Sequence, residues 1–342
     1  MSHRNLNAKI KIPKILKNKL RDKKVVRIFN KFEKSLEIKE NFIVAVSGGP
    51  DSLALAFLAK IYASKNNLKS KFFIVDHKLR PESTREAKYV KKILRKYFIH
   101  SEILTWRGLK PSKNILSLAR KKRYELLFSQ CDKLRINNIL LGHHQDDLIE
   151  NFFIRILRGS GLKGLISLDK KSVIKNKNLY RPLLDQKKED LIFISNHIFN
   201  FFAQDPSNNN EKFQRIRIRN FINKLYENGL DKNKFLKTIK NLKSSNSVIN
   251  HSVSENIKKN AFFSATKDHF ILNETFFHQP YEIIFRSFSR VIQIIGKKYY
   301  PVRGKKIDKI INNIRNDQFK RATLGGCIIE KVNQTVIISK EH

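Results

Sequence analysis

The strongest constraint on the fold is an alternation of short apolar runs and helix-like segments between residues 41 and 158. A helical pattern follows each of four apolar runs, which read NFIVAV, KFFIVD, SEILTW and NNILLG. Neighbouring parallel strands need a crossover between them, and a helix is the usual one. The pattern therefore predicts an α/β domain whose parallel sheet has helices on both faces. Such sheets bind ligands at the carboxyl ends of their strands.

Charge and pattern divide the chain into four predicted segments. Residues 1–40 form a basic N-terminal arm, with 13 Lys/Arg against 4 Asp/Glu. Residues 41–220 contain the alternation and form the predicted α/β domain. Residues 221–260 are interpreted as a basic helical linker whose Ser/Asn-rich part, 244–260, is a candidate hinge. Residues 261–342 are predicted to form a small α+β domain.

The charge balance indicates a polyanionic partner. The chain has 70 Lys/Arg against 30 Asp/Glu, a formal net charge of +40. Basic residues that neutralise phosphates release counterions, so this excess favours binding to RNA or DNA. A membrane surface is the rival polyanion, and a bias of the whole chain towards Lys would also raise the charge.

Cysteine content and hydropathy exclude several classes of protein. The only cysteines are Cys131 and Cys327, which excludes a disulfide framework and a four-cysteine zinc site. A reducing, cytoplasmic location is therefore expected. No run approaches 18 consecutive apolar residues, so no membrane span is predicted.

A glycine-rich loop follows the first predicted strand. Its residues are Ser47, Gly48, Gly49, Pro50, Asp51 and Ser52. Glycines let the backbone approach a phosphate, and the start of the next helix offers N–H donors. Asp51 cannot hold a phosphate directly, so its expected role is to hold Mg²⁺. The loop lacks the Gly-Lys-Ser/Thr of a Walker A motif and the G-x-G-x-x-G of a dinucleotide site; an ordinary capped Gly-Pro turn is the alternative.

Further acidic and histidine side chains follow the second and fourth apolar runs. Asp76 and His77 end the second run, and LGHHQDDLIEN follows the fourth. The candidates within that string are Gly142, His143, His144, Asp146, Asp147 and Glu150. A carboxylate cluster without cysteine suits Mg²⁺ better than Zn²⁺. Two acidic residues in a first helical turn would also be favoured by the helix dipole alone, and Asp76 and His77 could form a solvated turn.

Arginines form a third group. Arg120 and Arg123 lie one turn apart on a predicted helix, beside Tyr124. The others are Arg80, Arg158, Arg181, Arg215, Arg217 and Arg219. Because the last three alternate, a helix would spread them over different faces. A solvated basic surface is the alternative account of these residues.

The loop SGGPDS resembles the pyrophosphate loop of the N-type ATP pyrophosphatases, which cleave ATP between its α and β phosphates. The ordered motifs VDHKLRPES, ARKKRY, LGHHQDDLIEN, RGSGLKGL, RPLL and DPSN (205–208) are similar to those of the tRNA(Ile)-lysidine synthetases. This resemblance covers roughly residues 40 to 220. Asn151 stands where that family usually has Thr, and Ser167-Leu168 where it has Gly-Met.

The resemblance implies that residues 41–220 form the catalytic domain, a Rossmann-like, parallel-sheet PP-loop ATPase domain. It also implies ligation of free L-lysine to C2 of the wobble cytidine of a CAU-anticodon tRNA(Ile). The reaction would run through an adenylated cytidine, with ATP and Mg²⁺, and would release pyrophosphate and AMP. Homodimers occur in the family, so a homodimer is one expectation. An added tRNA grip is our hypothesis for the N-terminal arm, and the small C-terminal domain, 261–342, is expected to contact the tRNA.

Site residues follow from the same resemblance. The implied catalytic residues are Asp51, Asp76, His143, Asp146 and Asp147. The implied ATP-binding residues are Ser47, Gly48, Gly49, Pro50, Asp51, Ser52, Asp76, His77, Arg120 and Gly142. The implied tRNA-binding residues are Arg80, Arg123, Arg158, Arg181, Arg215, Arg217 and Arg219. Asp51 and Asp147 are the expected metal ligands, and His143 and Asp147 are favoured as proton acceptors.

Three alternatives compete with this interpretation. A tRNA cytidine thiolase needs catalytic or cluster-binding cysteines, commonly in C-x-x-C, and the sequence has no such pair. A small-molecule ligase such as NAD synthetase would not need a net charge of +40. A basic RNA-binding protein with an inactive nucleotide fold would have no need for intact SGGPDS and HHQDD strings.

Overall fold

The computed structural model describes residues 12–108, 115–203, 211–266, 268–298, 302 and 304–341. The chain forms two compact units, the first ending at Leu236 and the second beginning at Lys237. This division falls inside the range that the sequence assigns to a linker. The predicted motif DPSN lies outside the described residues.

A six-stranded sheet in the order β3-β2-β1-β4-β6-β5 forms the centre of the first unit. Its strands are β1 (Phe42–Val46), β2 (Ser70–Asp76), β3 (Ser101–Thr105), β4 (Asn138–Leu140), β5 (Lys171–Ile174) and β6 (Lys177–Tyr180). All neighbouring pairs are parallel except β5 with β6. The predicted parallel α/β domain is confirmed. The strand order reverses between β1 and β4, and ligands bind at such a reversal.

Nine helices of the described chain belong wholly to the first unit. They are α1 (Lys14–Lys19), α2 (Lys23–Ser35), α3 (Pro50–Lys65), α4 (Ser83–Lys96), α5 (Ile115–Leu134), α6 (Gln145–Ile156), α7 (Leu162–Leu165), α8 (Lys188–Phe199) and α9 (Gln214–Glu227). A tenth helix, α10 (Lys232–Asn260), continues into the second unit. Among the described residues, no helix is long and apolar enough to cross a membrane.

Helix α3 anchors the glycine-rich loop in the core. Almost every side chain from Ser52 to Ser64 is buried, as expected of a helix that is apolar on all faces. The helix contacts β1, β2 and α8. The loop that precedes α3 is therefore held between a central strand and a helix that cannot shift without disturbing the core.

The described part of the basic N-terminal segment is a packed layer of the first unit. Leu16, Val25 and Phe32 are fully buried in the core that contains β1 and α3. The Tyr62 hydroxyl of α3 lies 2.9 Å from the carbonyl oxygen of Leu36. The apolar faces of α1 and α2 are thus structural, while most of their lysines face solvent.

The second unit is a small α+β domain, as predicted. Its antiparallel sheet has the order β7-β8-β11-β10-β9. The strands are β7 (Ala261–Ser264), β8 (His269–Leu272), β9 (Arg321–Leu324), β10 (Cys327–Val332) and β11 (Thr335–Lys340). A 3₁₀ helix (Glu274–Phe277) and the helices α11 (Tyr281–Ile295) and α12 (Gly304–Arg315) complete the unit. The Ser/Asn-rich stretch 244–260 is helical within α10.

Candidate active site

The glycine-rich loop turns tightly around the Ser52 hydroxyl. Ser52 Oγ accepts hydrogen bonds from the backbone N–H groups of Ser47 (3.1 Å) and Gly48 (3.0 Å) and lies 3.0 Å from the Gly49 carbonyl oxygen. Gly48 has φ +89°, and a Cβ there would stand 2.7 Å from a methyl of Val90. The loop therefore requires glycine at this position. Pro50, which needs no N–H partner, takes the first helical position of α3.

Gly142 brings the end of β4 against this loop. A Cβ at Gly142 would lie 3.4 Å from the backbone of Asp51 and of Ser52. A Cβ at this position would be in van der Waals contact with the loop, so the two chain segments are direct neighbours. This contact places the histidines and carboxylates after β4 beside the loop after β1.

Two carboxylates and one histidine meet at this point. His144 Nε2 lies 3.6 Å from Asp51 Oδ2 and 3.7 Å from Asp147 Oδ2. His144 also begins helix α6: its Nδ1 accepts from the N–H of Asp146 (3.3 Å), and its own N–H donates to Asp147 Oδ2 (2.9 Å). The reciprocal cap fixes both side chains at the helix start.

The environments of the two carboxylates separate their proton affinities. Burial raises the pKa of Asp51, and the nearby Asp147 raises it further against the opposing effect of His144. Burial would also raise the pKa of Asp147, yet the Arg215 guanidinium, His144 and His143 hold it below its ordinary value. Asp51 is therefore the better proton acceptor and Asp147 the more firmly ionised group.

Helix α9 supplies arginines to the acidic cluster. The Arg215 guanidinium pairs with Asp147 Oδ1, and its Nε lies 2.5 Å from Glu150 Oε2. Arg219 Nε donates to the other oxygen of Glu150 at 2.8 Å. Glu150 is only 3% exposed, so these partners compensate a buried charge. Arg215 and Arg219, predicted as tRNA contacts, are engaged here with carboxylates of the same unit.

Two further basic residues, Lys232 and Arg217, lie near the acidic cluster, and only Lys232 pairs with one of its carboxylates. Lys232 Nζ, at the start of α10, lies 2.5 Å from Asp146 Oδ1. Arg217 points elsewhere, and its guanidinium donates to the carbonyl oxygens of Glu211 (2.8 Å) and Lys212 (3.0 Å). Arg215 and Arg219, four residues apart, therefore share the face of α9 that meets Glu150. Of the three alternating arginines, only Arg217 lies on another face, so the predicted spread over different faces holds for that residue alone.

Asp76 organises the loop that follows β2. Its side chain is 2% exposed and accepts from the N–H of Lys78 (2.9 Å) and the hydroxyls of Ser83 (2.9 Å) and Thr84 (2.6 Å). Burial opposes ionisation, but these donors, Thr84 foremost, hold the pKa of Asp76 below its ordinary value. Such bonding is that of an ionised acceptor that orders a loop, so the catalytic assignment of Asp76 stays a prediction.

His77 and the α5 arginines line the next strand ends. Arg123 Nε donates to His77 Nε2 at 3.4 Å, and the His77 ring meets Trp106 edge to face. Burial, with Arg123, lowers the pKa of His77 to about 4. The Arg120 guanidinium lies 5.2 Å from the ring centroid of Tyr124. A cationic surface thus borders the ends of β2 and β3.

The remaining arginines predicted to bind tRNA are Arg80, Arg158 and Arg181, and each has a different hydrogen-bond or ion-pair partner. Arg80 pairs with Glu86 at 3.0 Å, and Arg158 reaches Gln214 at 3.5 Å. Arg181 is 5% exposed and donates to the Asp169 carbonyl (2.8 Å) and to Ser172 Oγ (3.0 Å).

His143 is buried beside this group of residues. Burial lowers its pKa to about 3, with Asp147 opposing and nearby arginines assisting. Its ring is therefore neutral near pH 7 and a poor proton acceptor there. His143 suits hydrogen bonding to a ligand better than general-base chemistry.

His144 and Glu150 belong to the cluster, although the sequence resemblance implied no role for either. Both stand in the HHQDDLIEN string, and Glu150 follows Asp147 by three residues, which places the two on one helix face. That three-residue spacing was the feature of the sequence from which Glu150 could have been assigned to the cluster. The partners, Asp51 and Arg215, are distant in sequence.

Asp51 is the residue best suited to a magnesium ion. Its Oδ1 is buried and has no hydrogen-bond partner among the described residues. Asp147 is already occupied on both oxygens, by Arg215 and by the His144 backbone. In the described part of the chain no three His, Cys, Asp or Glu side chains form a metal-binding group. Mg²⁺ commonly uses one or two carboxylates together with phosphate and water, so the donors fit an ion shared with a nucleotide.

Comparison with known proteins agrees with the fold and the loop. The model of the PP-loop domain family matches residues 20–226. The U34-tRNA thiolase NcsA from Methanococcus maripaludis, solved with its [4Fe-4S] cluster, is similar in fold. Its TM-score is 0.55 at 16% identity, over 64% of this chain and 78% of that one. Sheet, loop and family match together define a PP-loop ATP-binding protein.

Curated relatives show which family of PP-loop proteins the chain resembles. The tRNA(Ile)-lysidine synthase of Orientia tsutsugamushi is 33% identical over 318 residues, which cover 90% of this chain and 71% of the relative. That of Wolbachia pipientis wMel is 32% identical over 307 residues, covering 87% and 70%. The chain belongs to the tRNA(Ile)-lysidine synthase family of PP-loop enzymes. The resemblance found in the sequence motifs is thereby confirmed.

Proposed function

We propose that this protein joins free L-lysine to C2 of the wobble cytidine of a tRNA(Ile) with a CAU anticodon. ATP is consumed, and pyrophosphate and AMP are released. The product reads AUA instead of AUG and changes the identity of the tRNA from Met to Ile. The observation that carries this proposal is the meeting of the PP-loop with the Asp51–His144–Asp147 cluster at one sheet edge, in a chain of this family.

In the first step the cytosine O2 attacks the α phosphate of ATP. Negative charge then grows on the phosphoryl oxygens, and the groups we propose to stabilise it are the start of α3 and the guanidinium groups of Arg120 and Arg123. Neither arginine has a carboxylate partner among the described residues. A magnesium ion held by Asp51 would supply further charge neutralisation when bound.

In the second step the ε-amine of lysine attacks C2 and AMP leaves. The amine must first lose its ammonium proton. Asp51, when it holds no cation, is the favoured acceptor because burial raises its pKa, whereas Asp147 is held ionised by Arg215.

The target base must leave its stack to enter the site. The surrounding basic surface then contacts the phosphate backbone. Residues 211–260, with 12 Lys/Arg against 4 Asp/Glu, are a candidate part of that surface.

Thiolation is a poor alternative. Cys131 and Cys327 are both buried, and burial raises the pKa of each thiol to about 11. Sulfur transfer needs an accessible thiolate, so neither cysteine suits that chemistry.

The decisive experiment is mass spectrometry of unmodified CAU-anticodon tRNA(Ile) incubated with the protein, ATP, Mg²⁺ and lysine. We expect the wobble nucleotide to gain the mass of lysine less water. Methionine tRNA with the same anticodon serves as the control and should remain unchanged. AMP formation without a mass gain on tRNA(Ile) would contradict the proposed acceptor.

A further inference from the structure

His144 has two separate contacts, one on each ring nitrogen. Nδ1 accepts the N–H of Asp146 at 3.3 Å, so this nitrogen carries the lone pair. The proton of the neutral ring then resides on Nε2. Nε2 lies between two carboxylate oxygens, 3.6 Å from Asp51 Oδ2 and 3.7 Å from Asp147 Oδ2. The helix cap thus determines which ring nitrogen presents a donor to the carboxylates.

The two oxygens of Asp51 are in unlike positions. Oδ2 is the atom nearest to His144, whereas Oδ1 is buried and has no hydrogen-bond partner among the described residues. Anchoring one oxygen of a carboxylate fixes the direction of the other. An ion or ammonium that approaches Asp51 would therefore meet Oδ1 in a defined orientation.

We infer that His144 is a positioning residue whose Nε2–H attracts Asp51 Oδ2 electrostatically across 3.6 Å and so presents Asp51 Oδ1 to a divalent cation. Its position between Asp51 and Asp147 also offsets the repulsion of two negative charges that share a site. His144 is 5% exposed, so water competes little for this donor. This inference deepens the proposed function and rests on it for the use made of the cation.

Two substitutions separate the two contacts of the ring. In His144→Asn the side-chain oxygen replaces Nδ1 and still caps α6, but no donor reaches Asp51. In His144→Gln the terminal amide replaces Nε2 and still reaches the carboxylates, but the cap is removed. Each variant is thus the matched control of the other.

The probe is Mn²⁺, measured by electron paramagnetic resonance with the full chain and α,β-methylene-ATP. We expect His144→Asn to keep the melting temperature of the wild type and to bind Mn²⁺ about tenfold more weakly. We expect His144→Gln to melt a few degrees lower, because it lacks the helix cap, and to retain Mn²⁺ affinity within about threefold.

Three results would overturn the inference: wild-type Mn²⁺ affinity in His144→Asn, equal weakening in both variants, or a wild type that binds no Mn²⁺ with the nucleotide analogue. This readout does not depend on lysine transfer. Failure of the proposed reaction would leave a difference in Mn²⁺ affinity intact, and failure of the inference would leave lysine transfer by the wild type intact.

Discussion

At the scale of the residue, Asp51 carries a charge that the folded protein disfavours. Burial and the neighbouring Asp147 raise its pKa. A carboxylate whose pKa is raised on folding destabilises the native state as the pH rises through the folded pKa, and this penalty is absent below the unfolded value of about 4. Retention of such a group is typical of a functional site.

We therefore expect Asp51→Asn to lower AMP formation at least about 100-fold while its melting temperature at pH 7 equals or exceeds that of the wild type. The difference in melting temperature should vanish near pH 3, where Asp51 is protonated in both states. Thermal unfolding from pH 3 to 8 and an AMP assay would test this. Asp268→Asn, at an exposed turn with positive φ, is the control and should change neither quantity. A marked loss of stability in Asp51→Asn at pH 7 would contradict the account.

The loop motif pointed to Asp51, and the string LGHHQDDLIEN pointed to Gly142 and Asp147, because each motif is contiguous in the sequence. His144 and Glu150 could not be chosen equally well from spacing alone, since their role depends on partners from other elements. Arg215 is the clearest case. It belongs to a basic stretch, but its guanidinium meets Asp147 and Glu150, a pairing that only the packing of α9 on α6 creates.

At the scale of the element, Arg215 fastens α9 to α6 across the acidic cluster. We expect Arg215→Ala to lower the free energy of unfolding by about 2 kcal/mol at pH 7. Breaking a buried pair costs more than this, but Arg215 is nearly half exposed and Arg219 still pairs with Glu150. Arg217→Ala, which removes only hydrogen bonds to backbone carbonyls, is the matched control and should cost much less.

The same variant has a pH signature. Arg215 helps to hold the pKa of Asp147 below its ordinary value. A lowered pKa gives stability that is present above the unfolded pKa of about 4 and disappears as the pH falls through the folded value. Urea unfolding of Arg215→Ala and wild type should therefore differ fully at pH 7 and converge in acid. An equal difference at pH 7 and pH 3 would show that side-chain packing, not charge pairing, is responsible.

The N-terminal helices show why elements can be misread from charge. Val25, Ile28, Phe29 and Phe32 follow a helical period and are buried, yet the surrounding lysines suggested an arm. Removing residues 1–35 would take Leu16 and Phe32 out of the core and destabilise the first unit. A role of this segment in tRNA binding is therefore better tested by substituting its exposed lysines.

At the scale of the whole molecule, the net charge of +40 is distributed over both compact units. Alternation of strands and helices was enough to predict the first unit, because a crossover helix leaves a strong periodic pattern. The second unit has short antiparallel strands, whose pairing order β7-β8-β11-β10-β9 depends on contacts between distant segments. Only its α+β character could be predicted.

Some of the basic side chains line a groove of about 540 Å³ in the second unit. Lys306, Lys309, Lys320 and Arg321 line it, and the three lysines are exposed. Among the described residues, no acidic side chain lines the groove. Arg321 already pairs with Glu330 at 3.2 Å. The three lysines are thus the residues best placed to neutralise RNA phosphates, in line with the tRNA-contacting role expected for residues 261–342.

We expect the triple change of Lys306, Lys309 and Lys320 to Gln to weaken tRNA binding. The slope of log K against log salt concentration should become less steep by about two to three, because each duplex phosphate that is no longer neutralised removes about 0.9 from the slope. Fluorescence anisotropy between 50 and 300 mM salt measures both. The corresponding triple change to Arg keeps the charge and should keep the slope. AMP formation at saturating tRNA should persist in the Gln variant, because the carboxylates proposed to be catalytic lie in the first unit. An unchanged salt slope in the Gln variant would mean that this groove does not hold the RNA backbone.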